Sequence, residues 1–216
     1  MERAVGKKLS EMTLKELWRL FPIRLTSHKP YWGDWYTEEV QSLKRILPAE
    51  ARYHHIGSTA INGIMAKPII DVLIEVDSVE LLEKAANILV ENDYIIMARS
   101  ITRISLNKGY TENGFAEKVF HLHIRLTGDT DEIYFRDYLN AHPDIAKAYE
   151  RLKLRLWKEY EHDRDGYTNA KTDFVTEYTR LAKLKLNRRY FTFSRFVHPR
   201  RFPSRIDNNR DKAYNS

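Results

Sequence analysis

The stretch Tyr53-His54-His55-Ile56-Gly57-Ser58-Thr59-Ala60, followed by Lys67-Pro68-Ile69-Ile70-Asp71-Val72-Leu73-Ile74-Glu75-Val76, decides the fold. It reads as a strand, a turn and a second strand that carries an acid. Gly57 lets the backbone approach a ligand with no Cβ in the way, and Ser58 adds a hydroxyl and an amide donor where a short helix can begin. A turn of this kind suits a phosphate-sized anion, and Thr59 beside it adds a second hydroxyl. Asp71 lies in an otherwise apolar strand, where a carboxylate is costly unless a metal, a cation or hydrogen bonds meet it. Turn and acid together point to nucleotide chemistry.

Outward from this stretch the elements fall into two groups. Thr13 caps a helix over residues 13–20, with Glu16 completing a capping box, and Pro22 ends it. A second helix over 37–47 places Val40, Leu43, Ile46 and Leu47 at helical spacing before Pro48. Strand 68–76 sets Ile70, Val72, Ile74 and Val76 on one face and Asp71, Leu73 and Glu75 on the other. A helix over 79–92 follows, then strands at 94–97, 103–107 and 119–125, with a hairpin-like connection over 108–117. From residue 131 the pattern turns helical, over 131–140, 143–161 and 165–186. The expected fold is α+β: a mixed sheet with N-terminal helices and a C-terminal helical segment packed on it.

The run HIGSTAINGIMAKPIIDVLIEV at 55–76 resembles the GrpB family, a branch of the nucleotidyltransferase (polymerase-β-like) superfamily. Further motifs carry the resemblance: His121-Leu122-His123, then Phe135-Arg136-Asp137-Tyr138-Leu139 with His142-Pro143, and Tyr167-Thr168-Asn169-Ala170-Lys171, together covering roughly residues 13–183. The resemblance implies a nucleotidyltransferase-like fold and a pocket, but supplies no substrate. Some relatives carry the domain fused to dephospho-CoA kinase, which hints at nucleotide or cofactor metabolism and equally at an accessory role.

Superfamily enzymes hold two divalent ions with carboxylates two residues apart on this strand. Here the residue two after Asp71 is Leu73. Glu75 lies about 13 Å further along, because each strand residue rises about 3.3 Å, too far to share ions spaced about 3.5–4 Å apart. His121 and His123 face one side of their strand, and beside Asp71 they would bind one transition metal, imidazole suiting zinc, manganese or iron better than magnesium. Pairing with a phosphate or with Asp71, and plain structural hydrogen bonding, are the alternatives. The expected cofactor is a divalent ion (Mg, Mn or Zn). Lys67, Arg103 and Lys171 are candidates to neutralise phosphate charge, and Tyr167 lies one helical turn from Lys171. His55 and Glu75 are expected at the pocket wall. Arg136-Asp137 reads as a structural ion pair, and Trp157 and Tyr160 as packing residues.

The formal charge of +6 is local. Residues 187–216 hold eight basic and two acidic residues, leaving 28 of each sign before them. The body therefore has no bias toward a polyanion, and nucleic acid is expected only through this Arg- and aromatic-rich tail, read as extended or disordered. The expected division is a domain over 1–186 and the tail over 187–216. There are no cysteines, so disulfides and thiolate metal sites are excluded. No signal segment or membrane span is visible, and the cytoplasm is the expected location. The expected partner is a nucleotide or phosphorylated small molecule with group transfer at Asp71; the alternative is a non-catalytic module that keeps the fold. Oligomeric state is not legible.

Overall fold

The computed structural model describes residues 7–194, and the side chains of residues 7–186. The fold is α+β, built on a five-stranded sheet in the order β1-β2-β5-β4-β3. The strands are β1 (Arg52–Ile56), β2 (Ile70–Val76), β3 (Ile95–Arg99), β4 (Arg103–Thr111) and β5 (Gly114–Leu126). β2 and β5 run parallel, and the other pairings are antiparallel. Among the described residues, one compact unit ends at Lys183 and a second begins at Leu184.

One face of the sheet is apolar. Ile70, Val72, Ile74 and Val76 of β2 and Phe120, Leu122 and Ile124 of β5 pack against helices α2 (Trp32–Ile46) and α3 (Val79–Val90), which contribute Trp32, Val40, Leu43, Leu82, Ala85 and Leu89. Ser78 caps α3 by accepting from the amide of Leu81. Helix α1 (Leu14–Leu20) has the expected capping box, with the Thr13 hydroxyl accepting from Glu16 and the Glu16 carboxylate accepting from the Thr13 amide. α2 starts at Trp32, five residues before the expected start. Gly33 disguised its first turn, while the fully buried Trp32 anchors it at helical spacing from Val40 and Leu43.

The helical half follows in α4 (Asp131–Ala141), α5 (Pro143–Glu159), α6 (Arg164–Asn169) and α7 (Thr172–Ser194). The single helix expected over 165–186 is two, interrupted at Ala170-Lys171, where the Lys171 amide donates to Thr168 in a tight turn. α7 continues through Ser194, so residues 187–194 of the expected extended tail are helical; the rest of that segment lies outside the described residues. No described helix is long and apolar enough to cross a membrane.

Side chains of α4 and α5 hold the loop between β1 and β2. Asn140 accepts from the Asn62 amide at 2.9 Å and donates to the Ala60 carbonyl at 3.0 Å. Glu150 accepts from the Met65 amide at 2.6 Å, Lys147 donates to the Gly63 carbonyl at 2.7 Å, and Lys153 donates to the Met65 carbonyl. The Gly57-Ser58 turn is thereby fixed from the helical side.

β4 and β5 extend through most of the predicted connection, turning at Glu112-Asn113. Their register shifts between Lys108 and Tyr110, with Gly109 at φ +90°. Strict alternation would send Tyr110 to the apolar face with Ile104 and Leu106; the bulge re-aims it to the polar face, where its hydroxyl lies 2.8 Å from His121 Nε2. A Cβ at position 109 would meet the Lys118 carbonyl and lie 3.1 Å from Val119 Cα. Gly109→Ala is expected to lower stability by about 1–3 kcal/mol, read from urea unfolding midpoints; an unchanged midpoint would show that the bulge relaxes freely.

Candidate functional site

The polar face of β2 and β5 carries the site. Parallel pairing sets Asp71 opposite His121 and Leu73 opposite His123. Asp71 Oδ1 lies 3.4 Å from His121 Nδ1 and 3.6 Å from His123 Nε2. These separations are long for hydrogen bonds. They match the spacing of neighbouring ligands around one ion bound at about 2.0–2.2 Å. All three ligand atoms lie within 4.8 Å of one another. The outward nitrogens are also met: Tyr110 Oη lies 2.8 Å from His121 Nε2, and Ser105 Oγ 3.4 Å from His123 Nδ1, as outer partners orient metal-binding imidazoles.

The protonation states suit a ligand set. Burial pushes the Asp71 carboxyl up, but contacts with His121 and His123 outweigh it and hold the group well below the usual carboxylate range. Burial lowers His121 against the opposing pull of Asp71, favouring the neutral imidazole that binds metals. Gly57, at φ +71° and ψ −172°, packs directly on this carboxylate: a Cβ there would lie 2.9 Å from Asp71 Cγ and closer still to Oδ2. Only glycine fits. Ser58 opens a single 3-10 turn, Ser58–Ala60, and lines the same cavity as Tyr149.

Asp71 and His121 open on a cavity of about 730 Å³, lined also by Gly57, Ser58, Lys67, Tyr149, Lys153, Arg164, Tyr167 and Lys171. The lysines and Arg164 sit over aromatic rings: Lys67 and Lys171 at 5.5 and 4.3 Å from the Tyr167 centroid, Lys153 at 4.8 Å from Tyr149, and Arg164 at 5.5 Å from Tyr110. Among the described residues none of these four cations has a carboxylate within salt-bridge distance. Burial and repulsion from neighbouring cations hold Lys67 and Lys153 down to about 7, and burial holds Lys171 down to about 8. The cavity lining therefore carries cations that no carboxylate of the described residues pairs at salt-bridge distance.

Of the residues expected at the site, the structure brings Gly57, Ser58, Lys67, Asp71, His121, Tyr167 and Lys171 to this cavity, with His123 beside Asp71. Four go elsewhere. Thr59 is buried and donates to the Ile69 carbonyl at 3.1 Å, so its hydroxyl braces the turn rather than a ligand. His55 stacks on Tyr36, with ring centroids 4.7 Å apart, and contacts Thr59, and burial lowers it to about 4. Arg103 is spent in a two-bond pair with Asp129, at 2.6 and 2.7 Å. Glu75 is buried against His54 at 2.8 Å and the Gly128 amide at 3.2 Å and does not line the cavity; the strand rise from Asp71 carries it past the opening. Arg136 is structural, as expected, donating to the His55 carbonyl and Asp137, and Trp157 and Tyr160 pack around Ile23 and Leu156.

Lys153, Arg164, Tyr149 and Tyr110 were missed. Lys153 had a readable signal: it takes a core position in the α5 stripe Ala146, Tyr149, Lys153, Leu156, where a lysine needs a reason. Arg164 and Tyr110 had none, because a turn and a bulge place them.

One acid strand paired in parallel to a histidine strand thus faces a cation-lined cavity, with Asp71, His121 and His123 close enough together that they could hold one ion. The chain belongs to the GrpB protein family, whose model matches residues 22–181. It is similar to the glutamate-rich protein GrpB of Alkalihalophilus pseudofirmus, 38% identical over 159 residues, 71% of this chain and 91% of that one. The UPF0157 protein YqkA of Bacillus subtilis is 30% identical over 181 residues, and the chain spans about half that relative's length, 52%. The crystal structure of the conserved protein GrpB from Enterococcus faecalis superposes with a TM-score of 0.66 at 30% identity, covering 76% of this chain and 99% of that one.

An unfolded lysine titrates near 10.4. Between about pH 7 and 10 the unfolded chain therefore binds more protons than the native one, and these lysines make stability rise with pH; below about 7 both states are protonated and their burial cost stands in full. Lys153→Met is expected to flatten that rise by up to about one proton per molecule, measured from urea midpoints between pH 7 and 9.5. An unaltered slope would contradict the burial argument.

Proposed function

We propose that this cavity binds a nucleotide or a phosphorylated small molecule together with a divalent ion, and that the chain transfers a nucleotidyl or phosphoryl group in a nucleotidyltransferase-like manner. The observation that carries the reading is the coincidence of an Asp-His-His cluster with four cavity-lining cations that have no carboxylate partner among the described residues.

The residues fit one ion and do not fit a pair. Asp71, His121 and His123 supply two imidazoles and a carboxylate, a set suited to manganese, zinc or iron. The place of a second carboxylate is taken by Leu73, which is fully buried. Such an ion polarises a phosphoryl oxygen as a Lewis acid. The chain's own groups do the rest. The Gly57 backbone, free of a side chain, lets the Asp71 carboxylate pack against the turn that lines the cavity; Lys67, Lys171, Lys153 and Arg164 offset the ligand's charge in a partly desolvated wall, where fixed cations act most strongly. Tyr149 and Phe135 present aromatic surface to the same cavity.

Leu73 favours a second reading: a binding module that keeps the phosphate cavity without catalysis, sensing a ligand or docking a partner. RNA binding through the basic segment is carried by residues 187–216, whose side chains lie outside the described residues.

The test is a thermal-shift panel of nucleotides and coenzyme A precursors, each with magnesium, manganese or zinc. A ligand at about a hundred times its dissociation constant adds roughly 2.7 kcal/mol. The expected outcome is a nucleotide shift that depends on manganese or zinc and is lost in Asp71→Asn. A shift of equal size in Asp71→Asn, or none with any nucleotide, would contradict the metal-assisted transfer reading.

A further inference from the structure

Lys67 and Arg164 line a second cavity as well as the first. β5 begins at Gly114, but its pairing with β2 starts only at Phe120 opposite Ile70, so residues 115–119 overhang the start of β2. That overhang, the 22–24 segment and the Lys67-Pro68-Ile69 approach to β2 enclose a cavity of about 220 Å³. Its chemistry differs from that of the first. Ile23, Ile69 and Val119 are buried in its lining. Phe115, 38% exposed, forms part of the wall and packs ring to ring with Phe21 and Tyr110, at centroid separations of 5.0 and 5.2 Å. No aspartate or histidine lines it, and the exposed Arg24 and Glu117 cancel in charge.

Size and charge narrow the ligand. A volume of about 220 Å³ falls below the roughly 300–1,000 Å³ of sites for drug-sized ligands, so a nucleotide does not fit. The charge left over is positive. Arg164 lies 5.9 Å from the Phe115 centroid and keeps its charge at any ordinary pH. Lys67, held down to about 7 by burial and by Lys171 and Arg164, takes up its proton more fully when an anion arrives. A free phosphate would satisfy the cations but would lose its hydration against apolar side chains that offer no donors. A carboxylate on a hydrocarbon body matches both parts. The guanidinium accommodates a carboxylate in a planar two-bond pair, and the body displaces water from the apolar lining.

We propose that this second cavity binds a small monocarboxylic acid with an aromatic or aliphatic body, its carboxylate paired with Arg164 and Lys67 and its body seated against Phe115, Ile69 and Val119. The same cation pair then serves two cavities of different chemistry. The second site does not rest on what the first one binds.

Isothermal titration of the full chain with phenylacetate in EDTA tests it. The wild type binds phenylacetate. It binds phenylacetamide, which has the shape without the charge, and acetate, which has the charge without the body, each at least about tenfold more weakly. Arg164→Gln weakens phenylacetate at least about tenfold, and Arg164→Lys binds more tightly than Arg164→Gln, separating loss of charge from loss of fold. In crystals soaked with 4-bromophenylacetate the bromine gives its anomalous peak among Ile23, Ile69, Phe115 and Val119. No phenylacetate binding, equal binding of phenylacetamide or acetate, unchanged affinity in Arg164→Gln, or bromine in the first cavity would overturn the site. Phenylacetate binding with no nucleotide response in the thermal-shift panel would leave this site standing and remove the nucleotide reading; a nucleotide shift with no phenylacetate binding would do the reverse.

Discussion

The parallel register of β2 on β5 is the constraint on which the rest depends. Side chains alternate along a strand, so a slip of one residue would carry His121 and His123 into the apolar face and Leu122 out of it. Ile70, Val72 and Ile74 opposite Phe120, Leu122 and Ile124 lock the pairing from the core side. Burial of hydrocarbon beneath the sheet thus sets Asp71 beside two imidazoles above it. The adjacency of Asp71, His121 and His123 therefore follows from the packing of the sheet's apolar face.

The opposite wall is assembled from helices whose side chains work on backbone. Asn140, Lys147, Glu150 and Lys153 hydrogen-bond the 60–65 segment, which otherwise would carry exposed donors and acceptors over a cavity. Lys153 does two jobs: its ammonium holds the Met65 carbonyl and adds positive charge to the cavity. One buried and two half-buried lysines and an arginine, none with a carboxylate at salt-bridge distance among the described residues, are unfavourable for the free protein. Their cost is consistent with a site whose missing partner is a ligand.

Much of this was legible in the residues. The Gly-Ser turn, the apolar acid strand and the two-residue spacing of His121 and His123 follow from period-two alternation, and Lys67, Tyr167 and Lys171 stand where their motifs put them. The adjacency of the acid and histidine strands was not legible, because strand order is a long-range outcome of how α3, β3 and β4 return the chain. Arg103 and Glu75 misled for a related reason: each found a partner from a distant segment, Asp129 and His54. Tyr110 was invisible because one glycine bulge reverses its face. The split at Ala170-Lys171 was hidden by apolar residues that keep helical spacing across it.

The central claim is that one divalent ion sits among Asp71, His121 and His123 with the lysine wall as its complement. Anomalous diffraction from crystals soaked in manganese or zinc with a non-hydrolysable nucleotide tests it most directly. The account predicts one anomalous peak within about 2.0–2.3 Å of the three ligand atoms, with ligand phosphates toward Lys67 and Lys171. Two peaks about 3.5–4 Å apart, or an ion placed away from the histidines, would contradict it.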